Sequence, residues 1–123
     1  MRNLLQQTLD DALYPDVYSF WQRKSGADVD EYVVYTLSGD SATSHADNEP
    51  VTNNANVTIR YYYRSNKLDT YDGRQLVEAR EEAIEIALKD AGFTIPFGKF
   101  DGGDIDDIGF YVTVFECEYW RVI

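Results

Sequence analysis

The sequence predicts an α+β fold, in which two helices pack on an antiparallel or mixed sheet of about five strands. Two segments repeat apolar residues with the 3.6-residue period of a helix, and five others concentrate β-branched and aromatic residues. Their order is α-β-β-β-α-β-β, which is typical of a sheet covered by helices on one face. A length of 123 residues fits one domain, so residues 1–123 are expected to fold together.

The first helix is expected over residues 3–13. Its apolar stripe has helical spacing and consists of Leu5, Leu9, Ala12 and Leu13, widened by Leu4. Pro15 ends this helix, because a proline pushes the residue before it out of the helical conformation. The segment 16–22 that follows is rich in aromatic and β-branched residues and predicts the first strand.

Two further strands flank a long polar segment. In residues 31–38 neither face of the strand is plainly polar, so both sides of the sheet are candidates for burial. Residues 39–54 are rich in Ser, Thr, Asp and Asn, and we interpret them as a long polar loop extending from a hairpin. The clearest strand spans 55–64, where more polar residues alternate with Val57, Ile59, Tyr61 and Tyr63.

A second helix is expected to begin after Asp72, the predicted N-cap with Gln75 in the capping-box position, and to end near Ala91. Its buried stripe is apolar and consists of Leu76, Val77, Ala83, Ile84, Ala87, Leu88 and Ala91. Its solvated side is charged and consists of Glu78, Glu81, Glu82, Glu85 and Lys89. The remaining segments predict an edge strand broken by Pro96 at 93–100, an acidic turn at 101–107 and a final strand at 110–122.

The charge of the chain argues against several classes of partner. Eleven lysines and arginines stand against 22 aspartates and glutamates, which gives a net charge of −11. Gripping free nucleic acid needs a basic surface, and an anionic membrane would repel this chain, so neither is expected as a ligand. No apolar run approaches the ~20 residues of a membrane span and the first residues are not typical of a secretory signal, so we expect a cytoplasmic product.

No group of residues carries a signature of catalysis or of a metal site. The single cysteine, Cys117, argues against a disulfide framework and a cysteine metal cluster. The single histidine, His45, has Ser44 and Asp47 only as sequence neighbours, which do not make a catalytic triad. The acidic run that begins at Asp101 lacks the alternating ligand order of a calcium loop. We therefore expect no enzyme activity, no cofactor and no metal.

Basic and aromatic residues interleave in the third strand, at Arg60, Tyr61, Tyr62, Tyr63 and Arg64. Such a pattern resembles a platform on which nucleic-acid bases stack, but tyrosine and arginine are also enriched at protein interfaces. The net charge of −11 disfavours nucleic acid. We therefore interpret these residues as a candidate protein interface.

The whole chain resembles the small tail-completion proteins of long-tailed bacteriophages, a group that contains tail terminators and tail-to-head joining proteins. The resemblance lies in the order of its segments: the helix 3–13 with Tyr14-Pro15, strands 17–21 and 32–35, the polar segment 39–54, the strand 57–63, the helix 75–91 after Tyr71-Asp72-Gly73, and the strand 111–119.

This resemblance implies a structural protein that catalyses no reaction. Members form a ring, usually of six subunits, on the head-proximal end of the tail tube, and the ring meets the tube protein on one side and the head connector or stopper on the other. DNA passes through the lumen without specific binding, and the ring remains in the virion at the head–tail interface. Candidate acids for the lumen or the loop are Asp40, Asp47, Glu49, Asp101, Asp104, Asp106 and Asp107.

The alternative function is that of an acidic inhibitor. In such a protein, carboxylates stand in for DNA phosphates and occupy a basic site on a nucleic-acid enzyme, with affinity that falls with salt. The acidic residues here are scattered over loops and a helix and form no regular stripe. Their distribution favours the tail-completion reading.

Overall fold

The computed structural model describes residues 2–14, 16–22, 29–46, 49–96, 98–104 and 109–122. Their elements in chain order are α1 (Arg2–Leu13), β1 (Tyr18–Trp21), β2 (Glu31–Ala46), β3 (Glu49–Arg64), a 3-10 turn (Ser65–Asp69), α2 (Tyr71–Asp90), β4 (Lys99–Asp104) and β5 (Phe110–Val122). The strands form one sheet in the order β1-β2-β3-β5-β4. β1 is parallel to β2 and every other pair is antiparallel. The α+β prediction is confirmed, with a mixed sheet.

The hydrophobic core lies between the two helices and one face of the sheet. The leucines predicted for α1 are buried, whereas Leu4 is 38% exposed and does not join them. α2 contributes Val77, Ile84 and Leu88 to the same core. Alternate strand residues meet the helices, and they include Val33, Tyr35, Val57, Ile59, Tyr61 and Phe115. Burial of each such side chain stabilises the fold by roughly 1.5–3 kcal/mol, so this layer contact dominates the stability.

Residues 39–46 and 49–54 are strand, so the prediction of a polar loop over 39–54 is wrong for them, and residues 47–48 lie outside the described residues. β2 continues to Ala46, β3 begins at Glu49, and the two strands pair as far as Ala46 opposite Glu49. β5 extends the ribbon to a third strand, since Thr52 lies opposite Val122. Polar composition predicts a loop because it offers no apolar face, but a strand ladder is held by backbone groups that every residue except proline supplies.

The start of α2 differs from the predicted capping box. Thr70, not Asp72, is the N-cap, and its hydroxyl accepts a hydrogen bond from the Gly73 amide at 3.0 Å. The chain turns tightly there, since a Cβ on Gly73 would lie 2.0 Å from the Lys67 carbonyl oxygen. Helix periodicity alone left this choice open, because both residues are good N-caps.

β4 begins later than predicted and lies at the edge of the sheet, as expected for that segment. Of the predicted strand 93–100, Thr94 makes an isolated bridge to Glu118, and β4 itself starts at Lys99. Residues 101–104 of the predicted acidic turn are therefore strand, and residues 105–108 lie outside the described residues. Gly102 lies at a register shift in the pairing of β4 with β5. A Cβ at this position would lie 2.4 Å from Val112 Cγ1, so glycine is what allows the strand to approach β5 this closely.

A buried polar contact joins α2 to the sheet. Glu31, at the start of β2, is 8% exposed and accepts hydrogen bonds from the Tyr61 hydroxyl at 2.5 Å and from Arg80 Nε at 3.2 Å. Glu81, predicted on the solvated side of α2, is also 8% exposed and accepts from the Thr113 hydroxyl at 2.5 Å. The prediction that Glu81 lies on the solvated side is wrong. Its carboxylate can face the sheet because Thr113 of β5 donates a hydrogen bond to it.

Replacing Thr70 by alanine should lower the free energy of unfolding by about 1 kcal/mol, because the Gly73 amide loses its acceptor. Asp72→Ala is the matched comparison and should cost only about 0.3–1 kcal/mol, since Asp72 in the first turn interacts with the helix dipole. Urea unfolding followed by circular dichroism measures both values. A larger loss of unfolding free energy for Asp72→Ala than for Thr70→Ala would mean that Asp72 is the N-cap.

Tyr61→Phe should lower the free energy of unfolding by about 1.5–3 kcal/mol, because the buried Glu31 carboxylate loses a donor. Burial and then the hydrogen bond to Glu31 raise the pKa of Tyr61. The folded protein therefore keeps a proton that the unfolded chain loses near pH 10, and wild-type stability should fall as the pH rises above about 10. This fall should be shallower in Tyr61→Phe.

Tyr62→Phe is the control for that experiment. Its ring is half-buried on the opposite face of the sheet, and its loss of a hydroxyl should change stability by less than about 0.5 kcal/mol. Equal effects of the two substitutions in denaturant titrations at pH 7 would mean that the Glu31 contact contributes no net stability.

Candidate interaction surface

The second face of the sheet is apolar, although both helices pack on the first. Residues that alternate with the core positions in β2, β3 and β5 point to this side, and they include Tyr32, Val34, Arg60, Tyr62, Val112 and Val114. Among the described residues, no helix lies over them. The sequence left open whether both faces of the sheet are buried. The helices cover the first face, and on the second face Val34, Val112 and Val114 are only 7–8% exposed.

Stacked aromatic rings form the centre of this second face. The Tyr32 and Tyr62 rings lie 4.8 Å apart between centroids and 22° from parallel, and Phe110 meets Tyr32 edge-on at 5.6 Å. Phe20 of β1 extends the group, with its centroid 6.3 Å from that of Tyr32. We call Phe20, Tyr32, Tyr62 and Phe110, with Val34, Val112 and Val114, the aromatic face. Burial, and then the neighbouring Tyr62 hydroxyl, raise the pKa of Tyr32.

The two arginines of the third strand are held differently. Arg64 pairs with Asp30 at 2.9 Å and lies over the Phe110 ring, 4.7 Å from its centroid. Arg60 lies between Val34 and Val114 in the pairing of the three central strands. No carboxylate of the described residues lies within 4 Å of its half-buried guanidinium. Among the described residues Arg60 therefore has no acidic partner, and an anionic group beside it would be favourable.

The candidate interface predicted from the sequence divides between the two faces. Tyr61 is fully buried and Tyr63 is 6% exposed, both under the helices, so the prediction is wrong for these two residues. Arg60, Tyr62 and Arg64 lie on the other face and are half-buried. The division follows from the two-residue period of a strand, which puts adjacent tyrosines on opposite sides.

The candidate lumen acids that the structure describes do not lie together. Asp40 and Glu49 lie on the hairpin formed by β2 and β3, and Asp101 and Asp104 lie on the edge strand β4. Asp101 of β4 lies opposite Thr113 of β5, which in turn lies opposite Tyr61 of β3. At ~3.3 Å per residue, Tyr61 is about 40 Å along β3 from Glu49. Asp47, Asp106 and Asp107 lie outside the described residues.

The groups considered for chemistry have ordinary positions. His45 lies in β2 with its backbone opposite Pro50, not in a loop. Burial, and then Glu116, raise the pKa of the Cys117 thiol to about 12, so it is not a reactive thiolate at neutral pH. Within the described ranges, no group of three or more His, Cys, Asp or Glu side chains is arranged to hold a metal ion. No helix in that part of the chain is long and apolar enough to cross a membrane.

Sequence reasoning did not single out Phe20, Phe110 and Val112 as members of the aromatic face, in which Phe110 and Val112 are 9% and 8% exposed. A signal was present, because β2 and β5 carry large apolar residues at odd and even positions alike. A strand that is apolar on both faces is normally buried on both. The sequence did not show that both helices of the described residues pack on the same face.

Comparison with known proteins gives the fold alone. No protein-family model matches the chain, and no curated protein matches it. Among solved structures, a chain named only by a sequence identifier is similar over 100% of this chain and 96% of its own length. The TM-score is 0.58 and the sequence identity is 8%, so the likeness extends to the two-layer architecture and carries no function.

Cys117 should react with a thiol reagent only after unfolding, because it is 2% exposed and its thiol stays protonated. The measurement is labelling with Ellman's reagent at pH 8, with and without denaturant. We expect less than about a tenth of the denatured rate in the native protein. Rapid native labelling would place the thiol at the surface.

Proposed function

We propose that this protein is a phage tail-completion protein, which caps the head-proximal end of the tail tube and joins it to the head connector as a subunit of a ring. The observation that carries the proposal is the aromatic face. Its rings Phe20, Tyr32 and Tyr62 are half-buried beside valines that are only 7–8% exposed, and a neighbouring subunit would complete their burial. The order of elements that resembles the tail-completion group supports the same reading.

The long hairpin of β2 and β3 suits an assembly role. Each strand has 16 residues, against a usual length of about five or six. At ~3.3 Å per residue the hairpin is about 50 Å long, and β5 pairs with β3 as far as Val122. A paired ribbon of this length reaches a neighbouring protein without the ordering cost of a flexible loop.

The charge of the chain suits a DNA conduit. A net charge of −11 repels phosphate, so DNA can pass a surface of this kind without being held. The same charge keeps free subunits apart at low concentration. Assembly then depends on specific contacts, of which the aromatic face supplies the apolar part.

A stop codon in this gene, in the phage genome that carries it, tests the proposal by electron microscopy of the lysate. We expect filled heads beside separate tails, because the joint cannot form. Tails of uniform length would indicate that the protein joins tails to heads, and overlong tubes would indicate that it terminates the tail tube. Normal virions in normal yield would contradict the proposal and favour the acidic inhibitor.

A shortened hairpin supplied in trans refines this experiment. Ser41 and Asn54 are cross-strand neighbours, so replacing residues 42–53 by Asn-Gly closes the hairpin with a two-residue turn in the same register. The variant should fold, as measured by circular dichroism and thermal unfolding, yet fail to complete particles. Wild-type protein in trans is the control. Full rescue by the shortened variant would mean that residues 42–53 of the hairpin are not needed for particle completion.

A further inference from the structure

An open groove lies between the C-terminal halves of the two helices. α1 and α2 contact each other, and the groove between them has a volume of about 480 Å³. Alanines of both helices line it, among them Ala12, Ala83 and Ala87. Side chains this small leave the space between the two helix backbones unfilled. We call this feature the helix groove.

A large apolar side chain stands in the wall of the helix groove. Ile86 of α2 lines the groove and is 51% exposed. A single exposed isoleucine is ordinary on a protein surface, but this one adjoins the alanine lining. Together they form a continuous apolar surface, which large apolar side chains of another molecule can cover.

The rim of the helix groove is acidic. Asp11 of α1 and Asp90 of α2 line the groove, and in the described part of the chain neither has a cationic group within 4 Å. Each lies in the last turn of its helix, where the negative end of the helix dipole makes a carboxylate unfavourable. Lys89, next to Asp90 in sequence, pairs with Glu85 instead. The groove therefore combines an apolar lining with negative charge that the described residues leave uncompensated.

We propose that the helix groove binds a basic amphipathic helix of a different protein. The apolar face of that helix lies against Ile86 and the alanines, and its lysines or arginines lie beside Asp11 and Asp90. An amphipathic helix that lays its apolar face into a groove is a recurring mode of protein recognition. Its cations would also offset the unfavourable position of the two carboxylates at the helix ends.

A second copy of this chain is a poor occupant of the helix groove. A net charge of −11 makes identical copies repel each other. The only basic residue of α1 is Arg2. In α2, Arg80 pairs with Glu31 and Lys89 with Glu85, which leaves Arg74 alone. The inference thus concerns the chemistry of another protein, and it holds whether or not this chain belongs to a phage tail.

Fluorescence anisotropy with a synthetic peptide tests the groove in the full-length protein. The probe is a labelled peptide of about 14 residues, built from leucine and lysine with the leucines on one helical face. The control peptide has the same composition in an order without helical periodicity. Wild type should bind the probe with a dissociation constant below about 50 µM, and the control peptide at least about tenfold more weakly, because only the probe presents an apolar face.

Two variants locate the bound peptide. The double variant Asp11→Asn, Asp90→Asn should bind the probe at least about threefold more weakly, because its lysines lose both carboxylates. Ile86→Ala should weaken binding by at least about threefold as well, since apolar contact is lost. The double variant Asp69→Asn, Glu78→Gln is the matched control, because it changes the net charge equally at exposed residues outside the groove. It should bind within about twofold of wild type.

Circular dichroism should report a native fold for every variant. Four results would overturn the inference: no binding of the probe, equal binding of the two peptides, unchanged binding by Ile86→Ala, or as large a loss in the matched control as in the Asp11, Asp90 variant. Self-association of wild type that Ile86→Ala abolishes, measured by sedimentation velocity, would also overturn it, because the occupant would then be a second copy. No phage particle enters these measurements, so their failure is separate from that of the stop-codon experiment.

Discussion

The buried contact between Glu31, Tyr61 and Arg80 is the constraint on which the rest of the structure depends. Arg80 belongs to α2, whereas Glu31 and Tyr61 belong to neighbouring strands, so the contact crosses from one layer to the other. A buried carboxylate that loses its partners costs several kcal/mol, so α2 is stable only where Arg80 reaches Glu31. Glu81 repeats the constraint one residue later, through Thr113 of β5. Apolar side chains could slide against one another, but these polar pairs fix the helix in one position.

Fixing α2 also determines which face of the sheet has no helix over it among the described residues. Both helices lie on the side of Tyr61, so every strand residue one position away from the core set points to the other side. On β3 this rule separates the buried Tyr61 from Arg60 and Tyr62. Because β2 and β5 are apolar on both sides, the face without helices is apolar as well, and its valines are only 7–8% exposed. The candidate interaction surface is thus a direct result of covering a two-faced apolar sheet with one layer of helices.

Periodic apolar patterns predicted most of the fold. The final strand was predicted at the bounds that the structure has, and Leu5, Leu9 and Leu13 of α1 are buried as predicted. The polar half of the hairpin was missed, because backbone pairing leaves no trace in side-chain composition. Glu81 was missed for a related reason, since its position depends on Thr113, which is 32 residues away in sequence. For the candidate site, the strand of Arg60 and Tyr62 was predictable, but the side to which each residue points required the position of the helices.

The distribution of charge links the fold to assembly. Buried and surface carboxylates in this chain take different partners: Glu31 has Arg80, Glu85 has two lysines, and Glu78 and Glu82 have no cation in the described structure. With 22 acidic and 11 basic residues, one subunit cannot pair all of its carboxylates internally. Among the described residues Arg60 has no carboxylate within 4 Å either, and a half-buried cation without a partner forgoes part of its hydration. Contact with a further molecule lowers the free energy where it brings an anion to Arg60 or a cation to Glu78 and Glu82, so these charges mark the places on the described surface where association is most favourable.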